Sequence, residues 1–173
     1  VTAWDAIRAK RAIRRFDGRP LEPAALDRIL QAGRRAGSSK NLQRWDFIVV
    51  RDRARLGELA AVGPWAEHLS GAALGIALVT PDPRHDDQPL STMWDLGQAA
   101  ENMMLVAWEL GIGSVPATVY QPELAQRILG YPDDRHCEFI LSFGYPADPG
   151  RLTAPLKPGG RRPLAEMVHE ERW

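Results

Sequence analysis

The sequence predicts one layered domain of α+β or α/β class, with a sheet of about four strands flanked by helices. Two observations carry this. Short apolar runs at Phe47–Val50, Ala72–Val79 and Cys137–Phe143, each bounded by turn residues, have the length and composition of sheet strands. Segments with helical spacing lie before and between them, so helix and strand alternate along the chain. The 173 residues form a single domain, 1–173, because they suffice for one substantial core and not for two.

Taken in order, Thr2 caps a first helix running to about Lys10, with Trp4, Ile7 and Ala3 on its inner face. Gly18 and Pro20 interrupt the pattern. Glu22-Pro23 opens a second helix, with proline where its missing donor does no harm, and Leu26, Ile29, Leu30 and Gly33 recur at helical spacing to about Ala36. The polar run Ser38 to Trp45 leads into the buried strand at Phe47. Residues 53–60 and Pro64–Leu69 read as short helices, and Pro81–Pro89, rich in Asp, Pro and His, as a mobile loop.

The longest helix spans about Ser91–Leu110, with apolar residues on nearly every face, which implies burial and a partner subunit covering one side. Asp95, Glu101 and Asn102 form a polar seam on it, and its methionines read as core filler. Gly111–Ser114 ends it. Val115–Tyr120 follows as an irregular extended piece, Pro122–Leu129 as a helix, and Gly130-Tyr131-Pro132 as a turn before the last strand. Pro149–Gly160 has no periodicity, and a short helix follows Arg161-Arg162-Pro163.

Composition narrows the function classes. Hydrophobic content of 45% and charged content of 25% are those of an ordinary globular chain. No apolar run approaches the ~20 residues that span a bilayer, and the opening Val1-Thr2-Ala3-Trp4 lacks the pattern of a secretory leader. A single cysteine, Cys137, makes no internal disulfide and fits the reducing cytoplasm. His85, among Asp86 and Asp87, reads as solvated, since no second His or Cys stands at metal-ligand spacing. Formal net charge is zero, yet residues 1–55 stand at +8 and the remainder at −8. With few aromatics interleaved, this favours a small anion over nucleic acid.

Lys10-Arg11-Ala12-Ile13-Arg14-Arg15-Phe16 packs four cations into seven residues. It reads either as an anion site or as a solvated basic helix end. The Ser38–Trp45 loop, with two hydroxyls, Asn41 and Gln43, reads as turn chemistry or as amide groups that bond the edge of a planar heterocycle.

The run Lys10–Phe16, the Ser38–Trp45 loop before a strand, the helix ending in a Gly-rich stop, Phe143-Gly144-Tyr145-Pro146 and Arg161-Arg162-Pro163-Leu164 together resemble the nitroreductase family of FMN-dependent oxidoreductases. The likeness covers nearly the whole chain in order. It implies an α+β sandwich with a central mixed sheet, and an intertwined homodimer with FMN in the subunit interface and chain ends exchanged. Lys10, Arg11 and Arg14 match the family's first cations, and Ala12 stands where serine is common. Ser38, Ser39 and Asn41 match residues approaching the ring and ribityl chain from the other subunit. Gln43 and Trp45 match too, and Arg44 replaces a customary proline. Pro116, Ala117 and Thr118 match the segment behind the flavin, where a backbone amide donates to N5. Arg161 and Arg162 match distal phosphate-binding cations.

The resemblance implies NADH or NADPH as reductant, and nitroaromatics, quinones or similar electron-poor small molecules as acceptors in a ping-pong cycle. No side chain is expected to be catalytic in its own right, since the flavin carries the chemistry. Flavin consumption, dehalogenation and simple flavin holding remain alternatives within the family. A nucleic-acid-binding module is the alternative outside it, and no membrane or metal partner is expected.

Overall fold

The computed structural model describes residues 2–156 and 159–173; Val1 and two residues of the aperiodic Pro149–Gly160 stretch lie outside the described residues. The elements run α1 (Ala3–Ala9), α2 (Pro23–Arg34), β1 (Asp46–Val50), α3 (Arg53–Leu59), β2 (Leu74–Pro81), α4 (Pro89–Glu109), β3 (Gly113–Thr118), α5 (Pro122–Leu129) and β4 (Arg135–Gly144). The strands form one sheet in the order β1-β2-β4-β3. All three pairings are antiparallel, which corrects the expected mixed sheet. The parallel component is one isolated bridge between Ala12 and Ser114.

Alternation along β2 sets the layers. Leu74, Ile76 and Leu78 face α2 and α4, packing with Leu26, Ile29, Met103, Leu141 and Phe143. Ala77 and Val79 face the other way, against Leu56 and Leu59 of α3 and Ala125 of α5. α4 therefore buries one stripe, including both Met103 and Met104, while Leu90 and Trp94 stand bare on another. The seam on α4 is polar as expected: Asp95 accepts from the Ser39 amide, Glu101 pairs with Lys10, and Asn102 donates to the Ala32 carbonyl.

Several local expectations are corrected. α1 ends at Ala9, held by a reciprocal Thr2–Asp5 capping box, and it buries Ala6, leaving Trp4 and Ile7 exposed. β1 is an edge strand whose only buried residue is Val50. The helices expected at Pro64–Leu69 and after Pro163 are single 3-10 turns, Glu67–Leu69 and Leu164–Glu166. The irregular piece after α4 is the regular strand β3. The loop after β2 is tied rather than loose: Arg84 grips the buried Asp82, and Arg44 bridges to both Asp86 and Asp87. Asp86 also accepts from the Thr92 hydroxyl at 2.6 Å. His85 is exposed there, as expected, with Asp82 3.7 Å away. No helix of the described residues is long and apolar enough to cross a membrane.

Part of the uneven charge of the two halves is met by pairing across them, through Lys10–Glu101, Arg28–Glu109 and Arg44–Asp86.

The N-terminal cationic segment is docked on the sheet by two facing glycines. Gly113 and Gly144 are register partners on β3 and β4. A Cβ on Gly113 would lie 2.6 Å from Ile13 Cβ, and one on Gly144 2.7 Å from the Phe16 ring. Ile13 and Phe16 thus sit directly on bare backbone. Their neighbours Ala12 and Arg14 point outward.

Gly113→Ala drives a methyl into the branch point of Ile13, which has no flexible end to yield. The expected cost is about 1–3 kcal/mol, as for other overpacked sites, read as a lower Tm. Chemical denaturation matching the wild type would contradict this account of the docking.

Candidate functional site

The docked segment runs beside the free edge of β3. Ile13 N donates to Ser114 O at 3.1 Å, Asp17 N to Tyr145 O and Ala147 N to Arg15 O. Because Ser114 turns its carbonyl to Ile13 while Val119 N bonds back to Glu138 O on β4, alternate residues of β3 present their backbone away from the sheet. Those are Ser114, Pro116 and Thr118. Pro116 is exposed and has no N–H, so Thr118 carries the outward amide beyond the bridge. Ala117 between them is buried.

Below this edge lies a cavity of about 860 Å3 lined by Arg14, Phe16, Trp65, Glu67 and His68 among others. Arg14 has no hydrogen-bond or ion-pair partner among the described residues. His68 is 8% exposed, and its Nδ1 lies 2.9 Å from Ser142 Oγ, whose proton goes to the Val115 carbonyl at 3.2 Å. Its Nε2 is buried and without a partner among the described residues. An orphaned buried polar atom costs about 1–3 kcal/mol.

The other anticipated residues are distributed as follows. Lys10 is held by Glu101 at 3.3 Å. The Arg11 guanidinium is engaged by backbone: Nη1 donates to the carbonyls of Arg8, Ala9 and Lys10, and Nε to Ala154 O at 2.8 Å. It closes the end of α1 and anchors the start of the C-terminal tail, and in this chain it does not line the Arg14 cavity. Ala12 occupies the bridge to Ser114.

Ser38 and Ser39 line a second cavity, about 520 Å3, with Leu90, Trp94 and Asp95 at the start of α4. Their loop is strained, since Lys40, Asn41 and Gln43 all have positive φ. It is held by Ser39 N to Asp95 at 2.8 Å, Gln43 N to Ser38 Oγ, and Gln43 Nε2 to the Asn41 side chain and carbonyl. Arg44 turns away into its ion pairs with Asp86 and Asp87, and Trp45 packs against the core on the α2–α4 face.

Arg161 and Arg162 lie on an exposed tail, bonded to Gly160 O and Glu166 O of the tail itself. Within one chain, then, Arg14 lines this cavity with His68, while Pro116, Ala117 and Thr118 are not among the residues that line it. The Ser38–Asn41 loop and Arg161–Arg162 share no cavity with them among the described residues.

The residue that the sequence did not reveal is His68. It sits between Glu67 and Leu69 with no second His or Cys nearby, and Ser142, its partner, is 74 positions away. Proximity of that kind leaves no trace in a pattern.

The family model for the "Nitroreductase family" matches residues 7–67 and 60–145. The chain belongs to the nitroreductase family. Among relatives, an Archaeoglobus fulgidus protein with the provisional name NADH dehydrogenase/NAD(P)H nitroreductase is 33% identical, the match covering 96% of each chain. The NADPH-flavin oxidoreductase of Vibrio harveyi is 29% identical over 98% of this chain and 73% of its own length. Among solved structures, the Vibrio harveyi NADPH:FMN oxidoreductase complexed with NAD+ superposes with a TM-score of 0.85 at 27% identity, covering 98% of this chain and 77% of that one. An FMN-dependent nitroreductase from Clostridium difficile R20291 gives a TM-score of 0.83 at 27% identity, covering 98% and 99%.

Burial first, and then the charge of Arg14, push His68 down to about 4 from 6.5. Below 6.5 the unfolded chain takes up a proton that the folded chain refuses, so this contribution to stability is whole above that value and declines as pH falls toward about 4. Thermal melts should show a wild-type acid limb across that window that is shallower in His68→Gln. Parallel limbs in the two proteins would remove His68 as its source.

Proposed function

We propose that this chain is an NAD(P)H-dependent oxidoreductase that holds FMN at the Arg14 cavity and the free edge of β3, and that it reduces small electron-poor acceptors of the nitroaromatic or quinone class. The carrying observation is Arg14, without a partner among the described residues, lining with His68 a cavity large enough for a planar ligand. Pockets of roughly 300–1,000 Å3 are the usual size for ligands of this kind.

The residues fit the cofactor. Bound FMN supplies the ring atom that accepts and returns a hydride, so no nucleophile or acid–base pair is asked of the protein. Arg14 places positive charge where a reduced ring system gathers negative charge, and in a site screened from water that favours reduction. The Thr118 N–H on the open edge offers a donor to a flat ligand lying along β3. A phosphate calls for guanidinium forks. Arg161 and Arg162 would take that role on leaving their exposed contacts with Gly160 and Glu166 of the tail, whereas Arg11 is tied by carbonyls and Lys10 by Glu101 within the body of the fold.

The reading includes a homodimer of the single 1–173 domain. Trp4, Leu90, Trp94, Leu164 and Trp173 are large apolar side chains that one chain leaves uncovered. A second copy would bring Ser38, Ser39, Asn41, Arg161 and Arg162 of one chain toward the Arg14 cavity of the other. Reductant and acceptor then use one face in turn, which is ping-pong. The lone, buried Cys137 suits the cytoplasm.

The purified protein should be yellow, oxidise NADH or NADPH only with an acceptor present, and give parallel double-reciprocal lines. A colourless preparation that takes up no added FMN ends this reading. Arg14→Ala should weaken FMN by about ten-fold or more, the range for a charge-assisted hydrogen bond, with the elution volume on gel filtration unchanged. Undiminished FMN affinity would move the charge-stabilising role to another cation.

A further inference from the structure

The loop that carries Ser38, Ser39 and Asn41 does not hold its shape unaided. Lys40, Asn41 and Gln43 stand at φ of 52°, 56° and 50°, in the left-handed region that residues other than glycine occupy only where their surroundings over-determine it. Bonds from Gln43 N to Ser38 Oγ and from Gln43 Nε2 to Asn41 close the loop on itself without tying it to another element. Two polar contacts among the described residues fasten it to the rest of the fold. At its start Ser39 N donates to the buried carboxylate of Asp95 at 2.8 Å. At its end Arg44 Nη1 donates to Asp86 and, at 2.7 Å, to Asp87.

The second fastening is one-sided. The Asp86 side chain, 1% exposed, also accepts from the Thr92 hydroxyl at 2.6 Å and from the Gln88 amide at 2.9 Å, so it keeps its place without Arg44. Arg44 has no other hydrogen-bond or ion-pair partner among the described residues. Cutting this contact therefore frees the loop and leaves the start of α4 anchored. We propose that Arg44 is a positioning residue for ligand binding: its tie to Asp86 and Asp87 keeps the Ser38–Gln43 loop in the conformation in which Ser38, Ser39 and Asn41 meet the cofactor. This rests on the reading that those three residues reach FMN held by a second copy, and it adds what sets the population of competent loops. The consequence is kinetic. A ligand that binds only competent loops associates at a rate scaled by their fraction and, once bound, leaves from the same complex whatever that fraction was. A side chain in direct contact with the ligand acts on departure instead.

Stopped-flow flavin fluorescence measures FMN association with the flavin-free full-length chain and FMN release from the holoprotein. Arg44→Met keeps the aliphatic stem and removes every donor. It should cut the association rate about ten-fold, as for a competent fraction reduced to about one-tenth, with the release rate unchanged. Because Nη1 alone makes both contacts, the single ammonium of Arg44→Lys should recover most of the association rate. Hydrogen exchange in the same proteins should quicken in Arg44→Met at the Ser39 and Gln43 amides and hold steady through β2 and α4.

Faster release with unchanged association places Arg44 on the ligand and overturns the proposal. So does an Arg44→Met protein with both rates of the wild type, or one whose loop amides exchange no faster; these outcomes leave FMN binding standing. A wild type that binds no FMN overturns the cofactor reading and this inference together. Should Arg44→Met fail to fold, Asp86→Asn and Asp87→Asn approach the tie from its other side. Slower association in either supports the proposal, and wild-type rates in both overturn it.

Discussion

Everything at the site depends on two side chains resting on backbone. Because Gly113 and Gly144 face each other without Cβ atoms, Ile13 and Phe16 come down onto the sheet where any other residue would hold them off. That contact fixes a segment with little regular structure of its own, and alternation does the rest: with Ile13 inward, Arg14 must face outward over the cavity. The cation is positioned by an apolar fit rather than by an ion pair. It therefore remains uncommitted.

The same economy separates the cations of the first third of the chain. Those with a carboxylate or a run of carbonyls nearby are structural: Arg11 draws the tail to α1, Lys10 ties α1 to α4, and Arg44 clamps the loop after β2. Asp86 is ionised despite burial, because the Thr92 hydroxyl, the Gln88 amide and Arg44 together outweigh desolvation and lower its pKa. Arg14 and Arg15 have no such partners among the described residues, and nothing in the composition of Lys10–Phe16 distinguishes the paired cations from the unpaired.

The sequence displayed its long-range order well and its local commitments poorly. α5 falls where helical spacing and Pro122 place it, and α4 follows its apolar pattern to within two residues at each end. These are long or sharply punctuated, so periodicity is enough. Trp4 and Ile7 read as inward because they are large and apolar, but on a seven-residue helix the choice of face belongs to what it packs on, and small Ala6 meets the body of the protein. β1 read as buried from its apolar run, yet an edge strand has one neighbour and stays half covered. The loop rich in Asp, Pro and His looked loose because its partner, Arg44, is some forty residues away. His68 shows the limit most plainly, since its meaning lies in a hydroxyl on another strand. The family likeness placed the anticipated ligand groups in four stretches of the chain, and only the coordinates show which of them share a cavity within one chain.

Pro116 has a further consequence. An open strand rim is a template on which a second molecule can add a strand of its own, and chains with such rims are prone to polymerise. Proline breaks the row of donors at the middle of β3, and the docked N-terminal segment covers the rim at Ser114. What is left is too short and too poor in N–H groups to nucleate a fibre. One imino acid thus helps to close that rim to strand addition by further copies.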